Sequence, residues 1–224
     1  MKLFLETSLI VVFSTLSLLA QADDFSDGVA LYGQRDFPAA AAAFKKAAEL
    51  GKSDAQFNLG LMYLKGEGVA QNYVEAKALF EKAAEQNNIR AQVNLARMYA
   101  KAKGVAPNYG MAVYWFKKAV ELGYADAQYS LGVLYVNGIG VSRNYDKAHD
   151  LFVKAAQQKD ASAQYQLGLM YFKGKGVAID KVEAMKWLIL AGDYDDAVTY
   201  RKYAESQMSP KEIEEAKVEA AKSQ

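Results

Sequence analysis

Residues 55–90 read AQFNLGLMYLKGEGVAQNYVEAKALFEKAAEQNNIR, and the pattern then starts again. Its opening dipeptide recurs as Ala91-Gln92, Ala127-Gln128 and Ala163-Gln164, each step being 36 residues. A fixed period of that size marks a stack of two-helix units, none of which buries its apolar face alone. Four units follow without a gap: 55–90, 91–126, 127–162 and 163–198. Each opens with an apolar helical stretch, turns at glycines, and continues into a second helix. In that second helix Ala76, Phe80 and Ala83 form one stripe at i, i+4 and i+7. Ala112, Phe116 and Ala119 repeat it, as do Ala148, Phe152 and Ala155, and then Ala184, Leu188 and Ala191.

Small residues mark where the helices of a pair approach closely. Gly60, Gly132 and Gly168 share one position, filled by Ala96 in the second unit. Glycine inside a helix costs about 1 kcal/mol relative to alanine, so its reuse implies a packing reason. The corner glycines are Gly66 and Gly68, Gly138 and Gly140, Gly174 and Gly176; the second unit keeps only Gly104, with Ala102 in the other place. Glycine enters positive φ freely, and the corner residue repeats because the corner repeats.

The pattern LGLMYLKGEGV followed by A…F.KAA resembles the Sel1-like repeat, a longer relative of the tetratricopeptide repeat. Upstream, Gly28, Phe37, Ala40, Phe44 and Ala47 look like one tetratricopeptide-type unit of shorter spacing, within 23–54. The resemblance implies an all-α fold, an α/α superhelix with a concave inner face that serves as a binding scaffold. Such a fold does not specify a ligand.

The N-terminus, 1–22, reads as a secretory signal. Lys2 supplies the charge, Thr7 to Ala20 is an apolar stretch of 14 residues, and Ala20-Gln21-Ala22 has the small-x-small form of a cleavage site. A membrane-spanning helix needs about 20 apolar residues, so the stretch is short for an anchor. The expected mature chain begins near Asp23, in the periplasm, with secretion beyond the envelope as the alternative. The chain has no cysteine, so stability must come from stacking and not from disulfides. In this it departs from cysteine-rich exported Sel1-like proteins. At the other end, Ser209-Pro210-Lys211-Glu212 has the form of a capping box opening a helix to about Lys222. That helix is expected to cap the last unit within a C-terminal segment, 199–224. No linker interrupts 25–222, which favours one elongated domain.

Twenty-seven Lys and Arg face 26 Asp and Glu, so the chain has none of the basic field that nucleic-acid binding needs. Catalysis is not expected. The lone histidine, His149, sits where other units have Lys77, Val113 and Met185, and reads as a solvated helix-face residue. G-x-S-x-G, H-E-x-x-H and S-x-x-K are all missing, and one histidine without cysteine makes a zinc site improbable. No cofactor is expected. Gly138-Ile139-Gly140 and Gly51-Lys52-Ser53 only imitate nucleotide-binding loops: the first lacks a third glycine and a preceding strand, and the second has Lys46 where a glycine should be.

The tetratricopeptide-like geometry implied by the resemblance puts the first helix of each unit on the inner face. The inward places are then Asp54, Phe57, Leu61, Leu64 and Lys65 in the first unit, and Arg90, Val93, Arg97, Ala100 and Lys101 in the second. The third supplies Asp126, Tyr129, Val133, Val136 and Asn137, and the fourth Ser162, Tyr165, Leu169, Phe172 and Lys173. The candidate groove residues are Phe57, Leu61, Lys65, Arg97, Lys101, Tyr129, Val133, Tyr165 and Lys173. They suit a protein or peptide partner with apolar anchors and some negative charge. Phe57, Tyr129 and Tyr165 serve equally well as packing between neighbouring units. Lys65, Lys101 and Lys173 all lie in the last turn of a helix, where a cation relieves the helix dipole without any ligand. Gln56, Gln92, Gln128 and Gln164 are expected to make one structural hydrogen bond in every unit. The leading expectation is a non-enzymatic exported scaffold in envelope assembly or sensor regulation. The rivals are a cell-wall or β-lactam-binding protein with weak hydrolase activity, and a secreted effector engaging host proteins.

Overall fold

Helix follows helix at the spacing the repeats predict. A computed structural model describes residues 24–101 and 106–223, and every regular element among them is α-helical. The expected signal segment, 1–22, and the second unit's Ala102 and Gly104 lie outside the described residues. Residues 24–33 form α1. Then come α2 (Phe37–Glu49), α3 (Ser53–Lys65), α4 (Tyr73–Glu85), α5 (Ile89–Lys101) and α6 (Tyr109–Glu121). They are followed by α7 (Ala125–Asn137), α8 (Tyr145–Gln157), α9 (Ala161–Lys173), α10 (Lys181–Leu190), α11 (Asp195–Glu205) and α12 (Pro210–Lys222). The fold class is all-α, of the α/α superhelix kind. The helices group into two compact units, Met1–Pro107 and Asn108–Gln224, whereas the sequence favoured one domain. The boundary falls inside the second repeat.

Helix ends are written locally. The second helices start behind Asn72, Asn108, Asn144 and Asp180, a row at the repeat period whose side chains accept hydrogen bonds from first-turn amides. Such caps satisfy amides that have no partner within the helix. First helices end at Gly66, Gly138 and Gly174, all left-handed. The second corner glycine is needed for space as well: a Cβ on Gly68 would lie 2.2 Å from the carbonyl oxygen of Phe37.

In the first unit α2, α3 and α4 enclose Ala40, Phe44, Ala47, Leu59 and Met62, with Phe25 and Leu31 of α1 packed against them. The helix-interior glycines have the predicted packing reason. A Cβ at Gly60 would stand 2.8 Å from the Phe80 ring, and one at Gly28 would stand 2.6 Å from the Phe44 ring. Sixteen positions separate Gly28 from Phe44 where twenty separate Gly60 from Phe80, which is the shorter spacing read in 23–54.

In the second unit the same contacts recur as Gly132 on Phe152 and Gly168 on Leu188. The last pair departs from the repeat. α10 stops at Leu190, and α11 begins at Asp195, inside the expected fourth unit. α12 packs on α10 through buried Ala216 and Ala220, and its capping box is complete: Ser209 bonds the Glu212 amide while the Glu212 carboxylate takes the Ser209 amide. Those bonds hold the exposed Glu212 carboxyl below its ordinary range. The expected cap is in place.

His149 differs from its reading as a solvated residue. It is half-buried, its Nε2 is 3.1 Å from the Tyr171 hydroxyl, and the two rings meet edge to face at 5.6 Å. Helix-face position alone does not reveal that α9 brings a tyrosine against it.

Candidate functional site

The first helices carry all nine candidate residues, and the two units are described in turn. In the first unit α3 and α5 divide them by burial. Phe57 is only 5 % exposed; its ring lies 5.9 Å from that of Phe80, and the Arg90 guanidinium stacks on it at 4.7 Å. Arg90 also bonds Asp54 at 2.9 Å, and Asn88 joins them at 3.0 Å. Phe57 is therefore a packing residue, the second of the two roles its spacing allowed. Leu61 is half-buried and lines a cavity of about 180 Å³ with Val29, Tyr32, Phe44 and Asn58. Lys65 is exposed, 3.6 Å from Glu67, and the Glu67 carboxylate accepts from Tyr32 at 2.7 Å. That bond raises the phenol pKa of Tyr32. Arg97 and Lys101 are both exposed, one turn apart on α5.

In the second unit α7, α9 and α11 bring the aromatics together. Tyr129 is half-buried, its ring 6.0 Å from that of Phe152, and burial raises its phenol pKa. Val133 is half-buried. Tyr165 is 7 % exposed, caught between Tyr194 at 5.4 Å and Tyr200 at 5.7 Å. Burial, with Asp196 nearby, pushes its phenol up to about 12. Like Phe57, it is a packing residue. Lys173 is exposed; its ammonium donates to the Tyr200 hydroxyl at 3.2 Å and sits 5.1 Å above that ring. A cavity of about 600 Å³ opens beside it, lined by Phe172, Lys173, Thr199, Tyr200 and Tyr203.

Sequence reasoning missed two contributions. Tyr200 and Tyr203 come from the part of α11 beyond residue 198, which follows the four repeats and offers no aligned position. Asn58, Asn94, Ser130 and Gln166 were legible: they recur at the repeat period, all polar and all half-buried. Some of that row is turned inward to its own helix, as when Asn94 donates to the Arg90 carbonyl at 2.8 Å.

Three of the four buried glutamines make the expected shared bond. The side-chain amides of Gln56, Gln92 and Gln164 donate to the carbonyls of Ala48, Ala84 and Ala156, each eight residues upstream, at 3.2–3.3 Å. Among the described residues no group of three or more His, Cys, Asp or Glu is placed to hold a metal, and no helix is long and apolar enough to cross a membrane.

The model of the Sel1 repeat family matches residues 28–52, 53–88, 89–124, 125–160 and 161–193. It thus takes in the upstream segment read as tetratricopeptide-like. A solved structure from uropathogenic Escherichia coli, described as a protective antigen displaying an SLR fold, is similar with a TM-score of 0.86 and 32% identity, over 95% of this chain and 47% of that one. The chain spans about half the length of that protein. A Sel1 repeat protein from Oxalobacter formigenes is similar with a TM-score of 0.78 and 30% identity, over 89% of this chain and 82% of its own. A structure from Klebsiella pneumoniae, at 22% identity, a TM-score of 0.53 and coverage of 83% and 93%, shares the fold. No curated protein matches the chain. Proteins built of Sel1 repeats generally mediate protein–protein interaction as non-enzymatic scaffolds. With five consecutive repeats matched over most of its length, this chain belongs to the Sel1 repeat family.

Proposed function

We propose that the chain is an exported, periplasmic scaffold whose first-helix faces bind an acidic, apolar-anchored segment of a partner protein. One observation carries this reading: Arg97 and Lys101 are exposed on α5 at places where the other units have Leu61 and Lys65, Val133 and Asn137, or Leu169 and Lys173. An exposed guanidinium stands where three other units have an aliphatic residue, and with Lys101 it adds positive charge that a carboxylate-bearing partner can meet. Within the first unit Leu61 keeps part of its apolar surface open and Asn58 offers an amide to a partner's backbone; within the second, Tyr129 and Val133 each keep apolar surface open. Each anchor contributes about 1.5–3 kcal/mol against the cost of ordering the partner. Export rests on the reading of 1–22, and description of the related E. coli protein as a protective antigen is in keeping with it.

The test is affinity capture from envelope extract with the wild-type chain and with Arg97→Glu plus Tyr129→Ala. Partners held by the wild type should be lost from the double variant. Equal capture by both rules out the first-helix face. Cell fractionation checks the compartment, and signal in the culture medium in place of the periplasm would favour the secreted effector. Nitrocefin turnover or sedimentation with peptidoglycan would favour the cell-wall alternative.

A further inference from the structure

The helix that follows the last repeat does more than close the stack. α11 carries Thr199, Tyr200 and Tyr203 to the end of α9, where Phe172 and Lys173 stand, and together these five line the cavity of about 600 Å³. The rings form a corner. Tyr200 and Tyr203 meet at 86° with centroids 6.5 Å apart, and Phe172 meets Tyr203 at 61° and 5.6 Å. Tyr203 remains 54% exposed despite those contacts, so its ring serves the surface more than the core. Lys173 stands at the rim, and its bond to the Tyr200 hydroxyl occupies one of three ammonium donors.

We propose that this corner receives an aromatic or branched aliphatic side chain of an acidic peptide, with Lys173 bonding a carboxylate beside that anchor. The proposal rests on the reading of the first-helix face as a peptide-binding surface, and locates its main anchor in the second unit. Charge and lining chemistry choose the occupant. Apart from the phenols, the polar groups are one hydroxyl and one ammonium, so the site offers an anion a cation and an apolar group three ring surfaces. A glycan would need amides or carboxylates around the ring it stacks on, and this lining has none.

The experiment is fluorescence-anisotropy titration of the purified chain with a short labelled peptide carrying one phenylalanine between glutamates. Control peptides replace the phenylalanine by serine or the glutamates by lysines. The wild type should bind the first peptide in the micromolar range and each control at least roughly tenfold more weakly. Tyr203→Ser and Lys173→Glu should each weaken binding at least roughly tenfold, and Lys173→Glu should reverse the preference between glutamate and lysine peptides. Tyr203→Ser should melt with the wild type, its ring being exposed. No binding by the wild type, or variants that bind as tightly, overturns the proposal; so does equal competition by a chito-oligosaccharide. If binding is lost in Arg97→Glu plus Tyr129→Ala but kept in both corner variants, the first-helix face stands and the corner falls.

Discussion

The side-chain amide of Gln86 donates to the buried Oε1 of Gln56 at 2.8 Å, thirty positions apart in the chain, and Gln158 does the same for Gln128 at 2.9 Å. Gln56 is thus held at both ends: its own amide reaches the Ala48 carbonyl in α2, while its oxygen is met by the residue that ends α4. Gln86 also donates to the Lys82 carbonyl, and Gln158 to those of Lys154 and Gly123. Each is a helix terminator as well as a partner.

Replacing Gln86 by leucine should leave the Gln56 oxygen desolvated and unbonded. The expected loss is about 1–2 kcal/mol of unfolding free energy, because a buried acceptor without a donor costs more than the net worth of its bond. Urea unfolding of Gln86→Leu against the double variant Gln56→Leu plus Gln86→Leu measures it. The double variant should recover part of the loss, having no stranded oxygen.

Gly60→Ala tests whether close packing outweighs helix propensity. Alanine is favoured by about 1 kcal/mol in a helix interior. Here its Cβ would meet the Phe80 ring at 2.8 Å, and that ring is fully buried. Overpacking of this kind costs about 1–3 kcal/mol, so Gly60→Ala should be destabilising. Adding Phe80→Leu should remove the clash and make the alanine neutral or favourable, by thermal melts of the four-member cycle.

Lys159 adopts φ +64 at the position where two other units have Gly51 and Gly123, and a fourth has Asn87. It follows α8, and the amide of Asp160 bonds back to the Ala155 carbonyl across it. A side chain in the left-handed region costs about 1–2 kcal/mol, partly offset by the greater freedom glycine brings to the unfolded chain. Lys159→Gly should therefore stabilise the protein by up to about 1 kcal/mol. Chemical denaturation detects that gain, and a lower midpoint would mean that other contacts of Lys159 outweigh the strain.

Stability should fall above pH 10. Tyr165 titrates near 12 in the folded chain, against an ordinary 10.0. Between those values the unfolded chain has lost the phenolic proton while the folded chain keeps it, so unfolding gains as pH rises. The contribution is fully present below pH 10 and gone above 12, with a ceiling of about 2.7 kcal/mol for two pK units. Tyr32, Tyr99, Tyr129 and Tyr171 are raised too, so the useful measurement is a difference. Urea midpoints at pH 8 and pH 11.5 should drop further for the wild type than for Tyr165→Phe.

The candidate site was legible to different depths. Lys65, Lys101 and Lys173 were legible as last-turn cations and Arg97 as an inward place of the second repeat, and all four are exposed. Phe57 and Tyr165 occupy the same helical register as half-exposed Tyr129, yet both are buried. The difference lies in what the neighbouring element brings: Arg90 covers Phe57, and Tyr194 and Tyr200 close over Tyr165. Register places a side chain on a face, and only its neighbours decide whether that face is open.

From the chain's letters alone came the repeat period, the two helices in each unit, the corner glycines, the close approach at the helix-interior glycines and the C-terminal capping box. All of these are local or periodic, so each is stated several times over or completed within four residues. Tertiary structure decided the tyrosine corner on α11, the burial of Phe57 and Tyr165, and the His149 bond to Tyr171. Those depend on contacts between residues far apart in the chain, where distance and orientation follow from how whole helices pack.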